Sequence, residues 1–279
     1  MPVSEKVFFD SSKLKCYLEC PRRFYWRYVR HLVPLHEQAA LSFGAAIHDA
    51  LFIWHQNNDL DAAIEAFHNS WDDLEGQTLR SHEKGEELLI RYARRYPPNR
   101  EPFKFVGGLE VKVQIQINGI TYGGRIDGIV EWGGMNLILD HKTATRMGPK
   151  YFNQFRPDLQ MTGYAFMASQ LMQKTMHGIV INVLYFTTKT YDFFREISSR
   201  EPFEYQEFVQ IVTSVANEIL SLDWDERRSW RPNWTSCGDW GGCDYRELCL
   251  CEDPESLADT MYRYEVWHPF ADNRDVIKL

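Results

Sequence analysis

A strict alternation of apolar and polar residues around position 113 constrains the fold of this 279-residue chain more than any other sequence feature. The apolar members are Val111, Val113, Ile115 and Ile117, and the polar members are Glu110, Lys112, Gln114 and Gln116. A period of two predicts a strand with one buried face. Asn118-Gly119 follows at once and predicts a two-residue hairpin turn, after which a second strand passes through Ile126 and Val130. The chain is therefore expected to build an antiparallel sheet around this hairpin.

Further helical and strand patterns flank the hairpin on both sides. We predict helices at 11–20, 39–57, 60–74, 83–96, 157–174 and 203–222, and strands at 135–140, 179–186 and 191–197. Ser11 or Ser12 is expected to cap the first helix. This order predicts an α/β fold around one central mixed sheet. We expect one integrated domain in three segments: a helical N-terminal region at 1–102, a core at 103–200 and a C-terminal segment at 201–279.

The composition is that of an ordinary globular protein, with 44% hydrophobic and 25% charged residues. It excludes a disordered chain, a collagen-like repeat and a coiled coil. The longest apolar stretch, Ile179 to Phe186, falls far short of the ~20 residues that span a bilayer. The N-terminus lacks the basic and apolar regions of a secretory signal. We therefore expect a cytoplasmic protein that does not contact a membrane and whose cysteines stay reduced.

Acidic residues of the hairpin and of the third strand are expected to converge. With Asn118-Gly119 as the turn, Glu110 lies opposite Asp127, and opposed like charges are unfavourable unless a cation binds them. Asp140 and Lys142 are two residues apart and project from one face of their strand. Carboxylate oxygens suit Mg²⁺ or Mn²⁺, which promote phosphodiester hydrolysis, and a lysine can stabilise the developing charge. The alternative is that Asp140 and Lys142 form a solvated surface pair.

The segment GGRIDGIVEWGGMNLILDHKTAT, at 123–145, resembles the core of the PD-(D/E)XK nucleases. It is similar to the branch that contains RecB-type nuclease domains, the CRISPR-adaptation nucleases and exonuclease V. A helix motif G-x-x-x-H is matched by Gly44-Ala45-Ala46-Ile47-His48, and a motif Q-x-x-x-Y by Gln160 and Tyr164. The resemblance spans about Ser11 to Cys251. It implies a restriction-endonuclease-like central mixed β-sheet flanked by helices, and a metal-dependent exonuclease activity.

The resemblance also implies roles for single residues. The family's metal ligands are matched by His48, Asp127, Asp140 and the backbone carbonyl of His141. Its catalytic lysine is matched by Lys142, and its other active-site positions by Glu110, Gln160 and Tyr164, the last as a contact to nucleic acid. A lone histidine beside an apolar stripe is more often structural, and Gln160 and Tyr164 can equally be packing groups. The combination of motifs, in the family's order, favours the functional interpretation.

Three cysteines near the C-terminus, Cys237, Cys243 and Cys249, are evenly spaced, and Cys20 lies in a C-P-x-x-F context near the N-terminus. In the resembled family four such cysteines hold a [4Fe-4S] cluster. The first C-terminal gap is five residues here and two in the family, so Cys16 or Cys251 could replace a ligand. A structural Zn²⁺ site is the alternative, since four thiolates suit either group. Buried thiols without a ligand are the remaining interpretation.

The formal net charge of −8 is unevenly distributed. From Lys13 to Arg30, six basic residues and one acidic residue give +5, and from Arg91 to Lys104, five basic and one acidic give +4. The first stretch interleaves aromatic residues, which is typical of surfaces that bind single strands. We predict DNA, single-stranded above all, as the partner, with Arg22 and Arg23 among its contacts. A solvated helix face over an aromatic core is the alternative.

The predicted function is that of a Mg²⁺- or Mn²⁺-dependent DNA exonuclease that prefers single-stranded ends, in recombination, repair or DNA processing. No G-x-x-x-x-G-K-[ST] motif occurs, so this chain carries no P-loop motor, and a helicase or recombination protein is a possible partner. The alternative is a non-catalytic scaffold protein, which keeps the nuclease fold and the cysteine site and binds nucleic acid. The presence of every catalytic residue type argues against that scaffold.

Overall fold

The computed structural model describes residues 7–35, 39–73, 79–239, 242–268, 270 and 276–279. Its helices are α1 (Ser11–Glu19), α2 (Pro21–Phe24), α3 (Ala39–Asn57), α4 (Leu60–Ser70), α5 (His82–Arg95), α6 (Leu159–Met172), α7 (Pro202–Ser221), α8 (Arg246–Leu250) and α9 (Pro254–Met261). Shorter turns of helix lie at Tyr25–Val29, Pro98–Arg100, Tyr151–Phe155, Arg227–Ser229 and Trp234–Ser236. The predicted helices are all present. The one predicted at 60–74 ends at Ser70, and position 74 lies outside the described residues.

Two helix starts differ from the prediction because an aspartate is the cap in each case. Asp10, and neither Ser11 nor Ser12, caps α1, since its carboxylate accepts a hydrogen bond of 2.8 Å from the backbone N–H of Lys13. Asp158 caps α6 by accepting from the N–H of Met161 over 2.9 Å, so this helix begins two residues after Pro157. Aspartate carboxylates satisfy N–H groups that a new helix leaves without a partner.

The strands form one large mixed sheet and one small antiparallel pair. They are β1 (Phe8–Phe9), β2 (Leu32–Pro34), β3 (Lys104–Ile117), β4 (Ile120–Trp132), β5 (Met135–Ala144), β6 (Gly178–Phe186), β7 (Tyr191–Ser199), β8 (Tyr262–Tyr264) and β9 (Ile277–Lys278). The large sheet has the order β7-β6-β5-β4-β3-β9, and β1 pairs with β4. The β5–β6 pairing is parallel, whereas the β4–β5 and β6–β7 pairings are antiparallel. The predicted α/β fold with a central mixed sheet is confirmed.

The hairpin between β3 and β4 has the predicted turn. Asn118 and Gly119 have φ values of 49° and 83°, and a two-residue hairpin turn of this kind requires positive φ at both positions. Within β3, Gly108 and Glu110 also have positive φ, 102° and 49°. Such residues interrupt the regular alternation of a strand, as bulges do. The prediction that Glu110 lies opposite Asp127 assumed an uninterrupted strand, and it stays a prediction.

The described residues fall into two compact units. One draws its residues from 1–37, 114–124 and 206–275, and its core includes the rings of Phe24 and Trp230, stacked with centroids 5.5 Å apart. The other draws from 38–113, 125–205 and 276–279. In this second unit, buried residues of α3, α4 and α5 pack with Leu184 and Phe186 of β6. The division into segments at 102 and 200 stays a prediction.

None of the helices in the described part of the chain has the length and hydrophobicity that crossing a bilayer requires.

Candidate active site

Three side chains from three elements of the second unit converge at one point of the large sheet. His48 of α3, Glu110 of β3 and Asp127 of β4 each offer a ligand atom, and these atoms all lie within 4.8 Å of one another. His48 Nδ1 is 3.2 Å from Asp127 Oδ2. The same Asp127 oxygen accepts a hydrogen bond of 2.9 Å from the backbone N–H of His141. A nitrogen and two carboxylates at this spacing form a donor set that can hold a divalent cation.

Asp140 and Lys142 lie on β5, beside this donor set. Gly128 of β4 pairs with Leu139 of β5, so the next position of the antiparallel ladder brings Asp127 beside Asp140. Lys142 Nζ is 2.7 Å from Asp140 Oδ2. Only 2% of the Asp140 side chain and 26% of the Lys142 side chain are exposed, so the carboxylate of this pair is buried and the alternative of a solvated surface pair does not hold.

Burial and mutual charge set the protonation of the carboxylates. Burial would raise the pKa of Asp127, but the His48 imidazole opposes it and holds that pKa well below its ordinary value. Burial and the Asp127 charge raise the pKa of Glu110 to about 7, although Arg125 Nε lies 2.7 Å from Glu110 Oε2. Burial likewise raises the pKa of Asp140. A bound cation would relieve this crowding of negative charge, which is the property expected of a metal site.

The acids of the site raise the pKa values of its two basic side chains. Burial lowers the pKa of His48, but Asp127 more than compensates and the net shift is upward. Burial also lowers the pKa of Lys142, and the charges of Asp140 and Asp127 raise it above its ordinary value. Lys142 therefore remains cationic near neutral pH, which suits the stabilisation of negative charge better than proton abstraction.

Gln160 and Tyr164 lie on α6, one turn apart. Gln160 Nε2 donates a hydrogen bond of 3.0 Å to the Tyr164 hydroxyl, so the two side chains first of all bind each other. Tyr151, from the short helix Tyr151–Phe155, is close enough to Lys142 and Asp140 for their charges to act on its pKa, which burial raises. Tyr151 had no sequence signal, because nothing in its local pattern places it near the lysine.

Sequence reasoning also missed a buried polar network around the ring of His141. Asn182 Nδ2 is 2.7 Å from His141 Nδ1 and donates over 3.1 Å to the Tyr92 hydroxyl. Arg195 Nε donates to Asn182 Oδ1 over 2.8 Å, and the Arg195 guanidinium also pairs with Glu101. A signal was present: Asn182 is the one amide in an otherwise apolar strand, and a buried amide requires partners.

The cysteines predicted to bind a cluster lie in the first unit. Trp26 Nε1 donates to Cys249 Sγ over 3.4 Å, and the backbone N–H of Asn233 donates to Cys20 Sγ over 3.3 Å. Such donors stabilise thiolate sulfur. Burial raises the pKa values of Cys243 and Cys249, and the charges of Cys20 and of one another raise them further, as expected of neighbouring thiols. Cys237 also acts on the pKa of Cys249.

The spacing of these sulfurs is wide. Among the described residues no three cysteine sulfurs lie within 4.8 Å of one another. Zn–S bonds of about 2.3 Å would bring the sulfurs of a tetrahedral site to roughly 3.8 Å. Burial raises the pKa of Cys16 to about 12, and Cys20 and Cys243 are near enough to add to that shift. Cys251 instead places its Sγ 3.1 Å from the carbonyl of Asp253.

The two arginines predicted to contact DNA differ in exposure. Arg22 is buried, and its Nε donates a hydrogen bond of 2.7 Å to the carbonyl of Trp230. This burial favours a structural role for Arg22 in place of the predicted DNA contact. Arg23 is partly exposed and pairs with Glu19 over 3.0 Å. Its guanidinium is the more accessible of the two.

Glu110, Asp127, Asp140 and Lys142 lie on three neighbouring strands of the large sheet, and His48 lies beside them on α3. Comparison with known proteins assigns the family: the sequence model of the PD-(D/E)XK nuclease superfamily matches residues 11–250, and the chain belongs to that superfamily. The predicted family is thus confirmed.

One solved structure agrees with the fold of this chain. A candidate exonuclease from Eubacterium rectale aligns with 91% of this chain and 92% of its own, with a TM-score of 0.53 and 14% identity. The structure of SSO0001 aligns over 77% of this chain and 78% of its own with 13% identity, and its TM-score of 0.32 is too low to argue from. No curated protein matches the chain.

Proposed function

We propose that this protein is a metal-dependent DNA exonuclease that acts on single-stranded ends. Superfamily membership supports nuclease chemistry, and the convergence of His48, Glu110 and Asp127 is the observation that carries the proposal. The excess of basic residues from Arg91 to Lys104, in the same unit, supports a nucleic-acid substrate.

The donor set fits Mg²⁺ or Mn²⁺. His48, Asp127, Asp140 and the carbonyl of His141 are the proposed ligands. Glu110 lies within 4.8 Å of the ligand atoms of His48 and Asp127, so its carboxylate is near enough to contact the ion or its bound water. When bound, the ion supplies a Lewis acid for the phosphate and lowers the pKa of a water molecule. An imidazole donor favours Mn²⁺ over Mg²⁺, because Mg²⁺ prefers oxygen ligands alone.

The remaining roles follow from the contacts of this chain's own residues. Lys142 is cationic and buried beside Asp140, and we assign to it the stabilisation of charge on the phosphate. Gln160, paired with Tyr164 at the start of α6, is assigned to orienting the substrate or the lysine. The finished reaction leaves a shortened strand and a nucleotide.

We also propose that Cys20, Cys237, Cys243 and Cys249 hold a [4Fe-4S] cluster. The N–H donors to Cys249 and Cys20 support thiolate ligation, and the charges of Cys20 and Cys237, which act on the pKa of Cys249, support a shared site. Its role is structural: it would tie α1 to a segment more than two hundred residues later, since Cys20 and Cys237 are 217 positions apart.

The proposed setting is the cytoplasm, in DNA repair, recombination or processing. A helicase or recombination protein would supply single-stranded ends, because the sequence contains no phosphate-binding motor motif.

The test is degradation of end-labelled single- and double-stranded DNA with Mn²⁺, with Mg²⁺ and with chelator. The proposal expects stepwise shortening of the single strand from an end, faster than of the duplex, and none with chelator. Degradation that is equal in chelator, or cleavage that begins at internal positions, contradicts it.

A further inference from the structure

A cavity of about 390 Å³ lies in the second unit, on the large sheet near the candidate metal centre. Its lining includes Phe152, Asn153 and Arg156 from the Tyr151–Phe155 turn and the residues after it, Ile181 of β6, and Glu196 of β7. This volume is within the range of pockets that bind small molecules. The cavity takes no part in the reaction as proposed so far.

The sheet register places the cavity on the same face as the metal centre. Asp140 pairs with Ile181, and Ile181 pairs with Glu196. Paired residues of neighbouring strands project to the same face. Glu196 thus lies two strands from Asp140, roughly 10 Å at the usual strand spacing. A nucleotide whose phosphate lies at the metal centre therefore has its base, or that of its neighbour, within reach of the cavity.

The charges of the lining favour a neutral hydrogen-bond donor over a phosphate group. Arg156 is already engaged, because its Nη2 lies 3.0 Å from Glu204 Oε2 and its Nη1 donates over 2.7 Å to Ser199 Oγ. Glu196 is exposed, and among the described residues its carboxylate has no ion-pair or hydrogen-bond partner. The lining therefore carries an uncompensated negative charge, which repels anions and accepts hydrogen bonds from N–H donors.

The remaining lining groups match a nucleobase. Phe152 offers an aromatic ring on which a base can stack. The Asn153 side-chain amide has both a donor and an acceptor, and no described residue hydrogen-bonds to it. Carboxylates accept from the amino group of cytosine, and Asn pairs with adenine, whereas thymine presents a carbonyl oxygen where cytosine presents that amino group.

We infer that this cavity binds a base of the substrate strand and prefers cytosine or adenine, which carry an amino group where thymine carries its O4 carbonyl, over thymine. The inference rests on the proposed function and adds specificity to it. Glu196 and Asn153 are the specificity-determining residues, and neither lies among the metal ligands or beside Lys142.

The test compares degradation of end-labelled dC and dT strands of equal length by the full chain with Mn²⁺. Wild type is expected to degrade dC faster by roughly fivefold, the effect of one net hydrogen bond. Glu196→Ala should remove that ratio and Asn153→Ala should reduce it. The matched control Glu207→Ala, in an exposed glutamate of α7, should keep it. Equal rates in wild type, or an unchanged ratio in Glu196→Ala, overturn the inference.

A binding measurement separates this inference from the proposed function. Fluorescence anisotropy measures the affinity of the Lys142→Ala variant for labelled dC and dT strands, and this affinity does not depend on catalysis. If wild type degrades neither strand, the proposed function fails, while a dC preference in anisotropy that Glu196→Ala removes still supports the cavity. Equal affinities for dC and dT overturn the inference that the cavity selects a base, even where degradation is observed.

Discussion

Asn182 Nδ2 donates a hydrogen bond to His141 Nδ1 over 2.7 Å. His141 is the residue between Asp140 and Lys142 on β5. Arg195 fixes the orientation of the Asn182 amide by donating to its Oδ1 over 2.8 Å. Because Nδ1 accepts, the proton of His141 is on Nε2, and burial holds the pKa of this ring well below its ordinary value. A neutral ring held by Asn182 thus lies between Asp140 and Lys142 on the same strand.

The first prediction concerns this amide. Asn182→Ala leaves His141 Nδ1 without its hydrogen-bond donor and removes one hydrogen bond each from Arg195 and the Tyr92 hydroxyl, so the free energy of unfolding should fall by about 3 kcal/mol. Urea titration measures the loss. Asn217→Ala, at an exposed position of α7, is the control and should change stability by less than about 0.5 kcal/mol. Equal losses for the two variants would show that the network contributes nothing.

A second prediction concerns acid stability. Burial, and then the charge of Arg195, lower the pKa of His55 to about 3, and its ring stacks on His141 with centroids 5.4 Å apart. In the unfolded chain the His55 ring binds a proton below about pH 6.5, whereas in the folded protein it stays neutral down to about pH 3. Folding stability is therefore lost as the pH falls from about 6.5 towards 3. His55 should contribute about 2 kcal/mol of this loss between pH 7 and pH 5.

Urea titrations at these two pH values check that contribution. His55→Gln should lose less stability between pH 7 and pH 5 than wild type does, because one titrating group has been removed. His177→Gln, at an exposed histidine, should behave as wild type. The same pH dependence in His55→Gln and wild type would contradict the assignment.

A third prediction concerns the metal ligands. His48→Ala removes the nitrogen donor 3.2 Å from Asp127, and Mn²⁺ affinity should fall by more than about tenfold while the preference for Mn²⁺ over Mg²⁺ shrinks. Calorimetric titration with each ion measures both quantities. His177→Ala should bind both ions as wild type does. Unchanged Mn²⁺ affinity in His48→Ala would exclude His48 as a ligand.

A fourth prediction separates the cysteines. Cys249→Ser should lose the iron of the purified protein, because Cys249 Sγ accepts a hydrogen bond from Trp26 and lies near enough to Cys20 and Cys237 for their charges to raise its pKa. Cys251→Ser, two residues later, should keep it, since its thiol points to Asp253. Iron and zinc analysis of the anaerobically purified variants measures which of them keep the metal. Zinc in place of iron, or iron retained in Cys249→Ser, would contradict a [4Fe-4S] cluster on these ligands.

The sequence predicted the elements that depend on local pattern. The turn at Asn118-Gly119 was predictable because its conformation is set by the two residues themselves. The helices followed their apolar periods, except at ends where a neighbouring aspartate proved the better cap. The motif around Asp127, Asp140 and Lys142 was predictable because short spacings on strands fix which side chains share a face.

Other features depend on residues far apart in sequence. The backbone is irregular at Gly108 and Glu110, where φ is positive. Glutamate rarely adopts positive φ, so the sequence gives no sign of this conformation at position 110. The partners of Asn182 come from positions 90, 41 and 13 residues away. Only the folded sheet brings these residues together. The sequence therefore indicates that a buried Asn182 requires hydrogen-bond partners, but it does not identify them.

The central claim is that Lys142 and the carboxylates beside it catalyse metal-dependent hydrolysis of DNA. The most direct measurement is the initial rate of degradation of end-labelled single-stranded DNA in Mn²⁺ by wild type, Lys142→Ala and Lys189→Ala, the last at an exposed lysine. The account predicts a loss of at least about a hundredfold in Lys142→Ala and a wild-type rate in Lys189→Ala. Undiminished degradation by folded Lys142→Ala would contradict it.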